Sequence, residues 1–408
     1  MSPKVNKYYL DKGLALPSFD QNGPTGSPRA EDFEIEMARQ AVILDANELR
    51  TLMQGPSEYL TGLCAYPTEL IGLQAVVRFR LAHAVPLDGE ATFAQLAAKS
   101  GIAENHMRQL LRVAMAQHIF SEAPGRPGVV IHTPASRVLV EDDLLYQWVA
   151  WYTGEGWAAS YRAVDAMSKW PGSGEPDQTG FALAHGKAMY EYLSEHPDSL
   201  KRFADMMLYI TREPGLGPEH LVGGYPWAEL GEATVVDLGG SHGVMACSLA
   251  RKNPSLKLIV QDLDEPVIRE AEARSPPNVA GRVQYMVHDF LKEQPPTVTG
   301  VDVFLLRSIL HNWSDKCAVR ILRNLIPAMK PGSKIIINDL VTPPPGVIPP
   351  FLERTLRNAS LLMNVNFNSS DRELPEWAKL FEEAGFEFEG ADQPPGSMMH
   401  ILKATWRG

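Results

Sequence analysis

Apolar residues recur at three- and four-residue spacing through EIEMARQAVILDANELRTLM, and LIGLQAVVRFRLAHAV is apolar around most of its circumference. The chain from about residue 31 to 145 therefore opens on helices. A compact unit follows within this stretch. Thr92 is placed to cap FAQLAAKSG, Gly101 suits the turn after it, and Glu104 opens HMRQLLRVAMAQHIF. Beyond the APGRPG turn, VVIHT has the β-branched character of a strand. Helix, turn, helix and hairpin describe a winged helix. Ahead of it, residues 1–30 hold Pro17, Gly23, Pro24, Gly26 and Pro28 with little periodic apolar content, and a flexible arm is expected there.

The pattern changes from residue 146. GWAASYRAVDAMSKW and GFALAHGKAMYEYLSEHPDSLKRFADMML are amphipathic helices, and after Ala233 strand-like and helix-like runs alternate: TVVDL, VMACSLARK, LKLIVQD, PVIREAEAR, VQYMVHD, VDVFLLRS, AVRILRNLIPAMK, KIIINDL. Short Val/Ile/Leu runs separated by helices predict an α/β fold with a mostly parallel, doubly wound sheet buried on both faces. FEFEGA and MMHILKATW are expected to close it with an antiparallel pair.

Charge narrows the partners. The 408 residues carry 38 Lys+Arg against 49 Asp+Glu, a net −11, which disfavours bulk attraction to nucleic acid or an anionic membrane. The winged helix offers no local exception. Between Asp88 and His132, Lys99, Arg108, Arg112 and Arg126 are balanced by Asp88, Glu90, Glu104 and Glu122, without the basic excess that DNA phosphates require. Its expected role is packing and dimerisation. Cys64, Cys247 and Cys317 share no CxxC spacing, so neither a disulfide framework nor a zinc site is expected and the compartment reads as reducing. No apolar run reaches membrane-helix length, and Pro, Gly and Asn stand where a signal peptide would carry its apolar stretch. A cytoplasmic protein is the expectation.

In open α/β sheets, ligands bind beyond the carboxyl ends of the strands, and those ends are informative here. The first ends VVDLGGSHG: Asp237, then Gly239, Gly240 and Gly243 leading into a helix. Glycines let the backbone approach a ligand, and the helix start presents free amides. The spacing is not the GxGxxG of dinucleotide folds, and Asp237 suits a cationic ligand group better than a pyrophosphate. The second strand ends at Asp262, 19 residues after Gly243, where a carboxylate can accept both hydrogen bonds of a ribose diol. The third delivers Asp289 and Phe290, suited to an adenine amino group and ring face. An adenosine ligand without phosphates fits best, and S-adenosylmethionine is such a molecule. Arg307 and then His311 reach the pocket edge from the fourth strand. The imidazole is a candidate general base, Asp339 at the end of KIIIND its candidate orienter, and Asp371 in SSDRELPEW a second one.

VVDLGGSHG, QDLDEPVI, VHDF and LHNWSDKCAVRILRNLIPAMKPGSKIIINDL, in this order and spacing, resemble the plant- and fungal-type S-adenosylmethionine-dependent O-methyltransferases, most in look the fungal natural-product members. The resemblance covers about residues 35–405. It implies a winged-helix dimerisation domain at 31–145, a seven-stranded methyltransferase domain at 146–408, and a homodimer. It also implies that Gly239 and Gly240 line the cofactor backbone, that Asp262 takes the ribose, and that Asp289 and Phe290 hold the adenine. Arg307 stands where many relatives have Lys, near the methionine end. His311 matches the proton acceptor, and Asp339 and Asp371 stand where plant members usually carry Glu. Ser241-His242 replaces the more usual Gly-Thr. The implied reaction is metal-free methylation of a phenolic or enolic hydroxyl on an aromatic or polyketide-like small molecule. Trp148, Trp151, Met189, Met206 and Phe367 are among the candidates for an apolar acceptor pocket. Two alternatives carry different chemistry: a pericyclase or dehydratase of the same fold that uses bound S-adenosylmethionine as a fixed charge, and a non-enzymatic winged-helix regulator.

Overall fold

A computed structural model of the chain describes residues 3–26, 32–279 and 281–408. It contains two compact units, one of Met1–Trp157 with Asp198–Tyr209, the other of Ala158–Pro197 with Ile210–Gly408.

The first unit holds the winged helix. A three-stranded sheet is ordered β1–β3–β2, from Ala91–Thr92 (β1), Ser121–Glu122 (β2) and Val129–Ile131 (β3). Thr92 caps the helix Phe93–Ser100 in a reciprocal box with Gln95, and Gly101 ends it at φ 70°. The next helix, Glu104–Ala116, stops short of Phe120. LIGLQAVVRFRLAHAV is not one helix: Tyr66–Arg78 and Leu81–Ala84 are separated by Arg80 in the left-handed region. The preceding helix, Phe33–Leu63, breaks at Gly55 (φ 64°) before Pro56, because a residue before proline avoids the α region and proline itself has no N–H to give.

The expected boundary at 145 and the loose arm both differ in the structure. Helix Asp143–Thr153 stays with the first unit: Tyr146 and Val149 join its core, and the Tyr146 hydroxyl donates to Val77 O at 2.7 Å. Helix Pro197–Ile210 returns to it, with Phe203 5.1 Å from the Trp151 ring and Ser199 and Arg202 both donating to Glu155. At the N-terminus, Pro3–Asp11 is a helix whose Val5 and Tyr9 lie one turn apart and bury against Ile35. Further on, Phe19 stacks on His118 at 3.8 Å, and the Thr25 hydroxyl donates to Glu141 at 2.6 Å. A few well-spaced anchors hold what composition alone marks as loose. Residues 27–31, with Pro28 and the expected domain start, lie outside the described residues.

The second unit is built on a seven-stranded sheet ordered β6–β5–β4–β7–β8–β10–β9. Its strands are Ala233–Leu238 (β4), Leu256–Asp262 (β5), Val283–Val287 (β6), Val301–Arg307 (β7), Met329–Asp339 (β8), Glu387–Asp392 (β9) and His400–Thr405 (β10). β4 to β8 pair in parallel, and β10 runs antiparallel between β8 and β9, as FEFEGA and MMHILKATW suggest. Val303, Phe304, Leu305 and Leu306 are all 0% exposed, which is why these strands read as continuous apolar runs rather than alternating ones. Truncating one such leucine to alanine costs about 2–5 kcal/mol. No single described helix is long and apolar enough to cross a membrane.

Candidate active site

The strand order turns back at β4, which has β5 on one side and β7 on the other. In a doubly wound sheet this switch opens a crevice at the carboxyl ends. The glycine loop lies there. Gly239 (φ 68°), Ser241 (φ 48°) and Gly243 (φ 69°) are left-handed, a conformation glycine adopts without strain. A Cβ on Gly239 would meet Ile309 Cδ1 at 2.5 Å, and one on Gly240 would meet Asp237 Oδ2 at 2.8 Å. Asp237 is 2% exposed, and its Oδ2 has no hydrogen-bond partner. Burial pushes its carboxyl up to about 7, against a hydrogen bond from the Ala246 backbone N–H and the charge of Arg307.

Asp262 is fastened beneath the same loop. Its Oδ2 accepts from Ser241 N at 3.0 Å and its Oδ1 from Asp264 N at 3.2 Å, leaving each oxygen a further lone pair. Asp289 and Phe290 follow β6 on a loop anchored by a buried, reciprocal amide pair between Gln261 and Gln294 (2.9 and 3.0 Å) and by Asn324 Nδ2 donating to Phe290 O. Phe290 lies against the glycine loop, 3.7 Å from a Cβ built on Gly239.

On the β7 and β8 side, Arg307 donates from Nε to Asn338 Oδ1 at 3.1 Å and from Nη2 to Leu216 O. His311 sits on the one-turn 3-10 helix Leu310–Asn312. Its Nδ1 lies 2.6 Å from Asp339 Oδ1, with the Asp339 side chain fully buried and that of His311 21% exposed. Burial alone would lower the imidazole pKa. The Asp339 carboxylate outweighs it through charge and hydrogen bond, and the charge of Asp371 adds, so the pKa stands above the ordinary value. The structure thus brings His311 and Asp339 together as the sequence suggested. Asp371 acts differently. Its carboxylate makes no hydrogen bond among the described residues and reaches the imidazole through charge only, since an aspartate is one methylene shorter than the glutamate of the plant pattern.

Four residues escaped the sequence reading. Trp313 meets Phe290 edge-to-face at 5.7 Å, and Tyr190 stacks between Trp313 (6.3 Å) and Phe367 (5.4 Å), its hydroxyl accepting from Asn312 Nδ2 at 3.2 Å. Ser369 and Arg372 grip the backbone of the His311 turn. Trp313 lies inside the HNW block and Arg372 beside Asp371, so adjacency was the available signal. Nothing in the spacing marked Tyr190. Among the pocket candidates, Trp151, Met189 and Met206 are 3% exposed or less and are packed in the cores of their units.

Comparison with known proteins gives this geometry its family. An O-methyltransferase domain matches residues 168–387, and an O-methyltransferase dimerisation domain matches 72–142. The grayanic acid biosynthesis cluster O-methyltransferase of Cladonia grayi is 36% identical over 411 residues, covering 99% of this chain and 85% of that protein. The chain belongs to the S-adenosylmethionine-dependent O-methyltransferases. A second relative of this methyltransferase, O-methyltransferase pyvH of Aspergillus violaceofuscus, is 36% identical and covers 99% of the chain and 96% of its own length. The crystal structure of OxaC in complex with sinefungin and meleagrin shares the fold at a TM-score of 0.77 and 23% identity, covering 92% of this chain and 94% of that one.

The residues present in this methyltransferase fit the family's cofactor. The orphaned, buried Asp237 Oδ2 suits a cationic amino group, the spare lone pairs of Asp262 suit a diol, and the close approach at Gly239 and Gly240 leaves bare backbone where side chains would intrude.

Proposed function

We propose that this methyltransferase methylates a phenolic or enolic hydroxyl of an aromatic, polyketide-like natural product, with His311 as general base. The observation that carries the reading is the 2.6 Å contact between His311 and the buried Asp339, at the strand ends beside the glycine loop. In the bound state, Asp262 would hold the ribose and Asp289 with Phe290 the adenine, while Asp237 and Arg307 would meet the amino-acid end. S-adenosylmethionine supplies an electrophilic methyl on a positively charged sulfur. His311, with Nδ1 engaged by Asp339, keeps Nε2 free to take the hydroxyl proton as the acceptor oxygen turns nucleophilic, and Asp339 stabilises the imidazolium formed. The aromatic residues Trp313, Tyr190 and Phe367, which pack together beside the His311 turn, support an aromatic acceptor, because aromatic side chains favour planar ligands. The fungal relatives, one of them named for a biosynthetic cluster, support a natural-product substrate. Incubation with methyl-labelled S-adenosylmethionine and a panel of dihydroxynaphthalenes, hydroxyanthraquinones, anilines and thiols tests it. A labelled methyl ether is expected; transfer confined to nitrogen or sulfur acceptors would overturn it.

We further infer a homodimer through the first unit, and a reducing, cytosolic setting on the ground that Cys64, Cys247 and Cys317 share no paired spacing. An open apolar groove of about 420 Å³ includes Ile71, Phe79, Ile102, Leu110 and Val113. Leu49, Leu52, Met53 and Leu60 are each at least 59% exposed on the helix Phe33–Leu63. Apolar surface of this kind calls for a partner, and a second copy is the partner the matched dimerisation domain supports. A monomeric mass by light scattering at micromolar concentration would refute it.

A further inference from the structure

Arg372 is 2% exposed, a burial that a guanidinium tolerates only when its donors are satisfied. Its Nη1 donates to Leu310 O at 2.9 Å, its Nη2 to Trp313 O at 2.6 Å and its Nε to Asp315 Oδ1 at 2.8 Å. The planar head also lies 5.1 Å from the Trp377 ring. Three residues earlier, the Ser369 hydroxyl is shared between His311 O (2.7 Å) and Trp313 O (2.8 Å). Beyond its own 3-10 bonds, Asn312 N to Ile309 O and Trp313 N to Leu310 O, the turn that carries His311 has its carbonyls held by side chains from 369–372. The backbone of the same arginine faces the other member of the pair. Just past Asp339, Val341 bridges to Arg372, and Thr342 N donates to Arg372 O at 2.9 Å.

We propose that Arg372 is the positioning residue of the His311–Asp339 pair. Its side chain fixes the turn that carries the imidazole, its backbone fixes the extension of β8 that carries the carboxylate, and one residue thereby sets the distance between them. A lysine cannot substitute fully, because a single ammonium lacks the planar fork that reaches two carbonyls and a carboxylate together. Ser369 shares the role on the turn side. The inference rests on the reading of His311 as the base.

The test follows the imidazole directly and needs no acceptor. The full chain is labelled at histidine carbon, the His311 signal is assigned by its loss in His311→Ala, and the ring is titrated by NMR. The charged groups facing it are Asp339 from β8 and Asp371 and Arg372 from the segment after the helix Pro350–Phe367. In the wild type the midpoint is expected above the ordinary imidazole value. In Arg372→Met it should fall, because the turn no longer holds Nδ1 against Asp339; Arg372→Lys should lie between. S-adenosylhomocysteine affinity, measured by calorimetry, should stay within about twofold in both variants. A midpoint that rises in Arg372→Met means the arginine acts through its positive charge alone, and one that does not move means it only supports the fold; either overturns the proposal. If Arg372→Met does not fold, Arg372→Lys and Ser369→Ala decide, and two unmoved midpoints overturn it. Full activity of His311→Ala would instead remove the base assignment, leaving the titration result to stand as geometry.

Discussion

Asp339→Asn is the sharpest perturbation of the proposed base. At 2.6 Å from His311 Nδ1 and an effective dielectric near 20, the carboxylate attracts an imidazolium by about 6 kcal/mol. Desolvation takes back much of this, and a charge-assisted hydrogen bond keeps about 1.5–3 kcal/mol net. Losing that alone slows proton abstraction by roughly 10- to 150-fold. The amide adds a second effect. Its NH2 donates to Nδ1 and drives the ring proton to Nε2, the nitrogen that must receive the acceptor's proton. Together the loss in kcat/KM should reach about 10²–10⁴. The pH profile separates this from simple protonation. In the wild type, kcat/KM should rise with pH and level off above the raised His311 pKa. With the Asp339 charge gone, burial, which lowers that pKa, dominates, so the inflection should move down while the plateau stays low. The linkage sign agrees. A raised imidazole pKa contributes folding stability fully present below the ordinary value near 6.5 and lost as pH climbs through the raised one, so this part of the stability should be missing from Asp339→Asn at low pH. A variant within about fivefold of wild type, or an inflection that moves up, would refute the reasoning.

The remaining predictions concern the base and the cofactor end. His311→Ala should lose about 10²–10⁴ in turnover with S-adenosylhomocysteine affinity unchanged by calorimetry; near-normal turnover would remove the base. Asp262→Ala should weaken S-adenosylmethionine binding by roughly 1–3 kcal/mol, because a ribose diol and the Ser241 amide both lose their acceptor; equal affinity would take Asp262 out of the site. With the Asp237 carboxyl pushed up to about 7, cofactor affinity should tighten roughly tenfold between about pH 6 and 8 as the group ionises, and Asp237→Asn should flatten that dependence. A flat wild-type profile would show that no ammonium pairs with it.

The sheet was legible because its strands are buried on both faces, so Val, Ile and Leu run on without alternation from Val303 to Leu306. The glycine loop was legible because its turns need left-handed backbone at Gly239 and Gly243. His311 and Asp339 were legible as strand-end residues. The docked N-terminal helix was not, since two anchors, Val5 and Tyr9, make no statistical pattern. The unit boundary was missed for a related reason: helix Pro197–Ile210 returns to the first unit through Phe203, Ser199 and Arg202, contacts that exist only between segments distant in sequence. Arg372 has the same character, because its meaning lies in carbonyls 59 to 62 residues away.

Parallel order places a further property of the site beyond any single motif. β4, β7 and β8 are neighbours, so Asp237, Arg307 and Asp339 come from adjacent strand ends. Arg307 feels both carboxylates, Asp339 holds His311, and His311 feels Asp371 and Arg372 in turn. The charges therefore alternate in sign from an ionised Asp237 to a protonated His311. Alternation offsets part of the cost of burying these charges, although at Asp237 burial still prevails. A ligand cation seated at Asp237 would favour the ionised form of that carboxylate, which burial otherwise disfavours, on the side of Arg307 away from Asp339 and the proposed base.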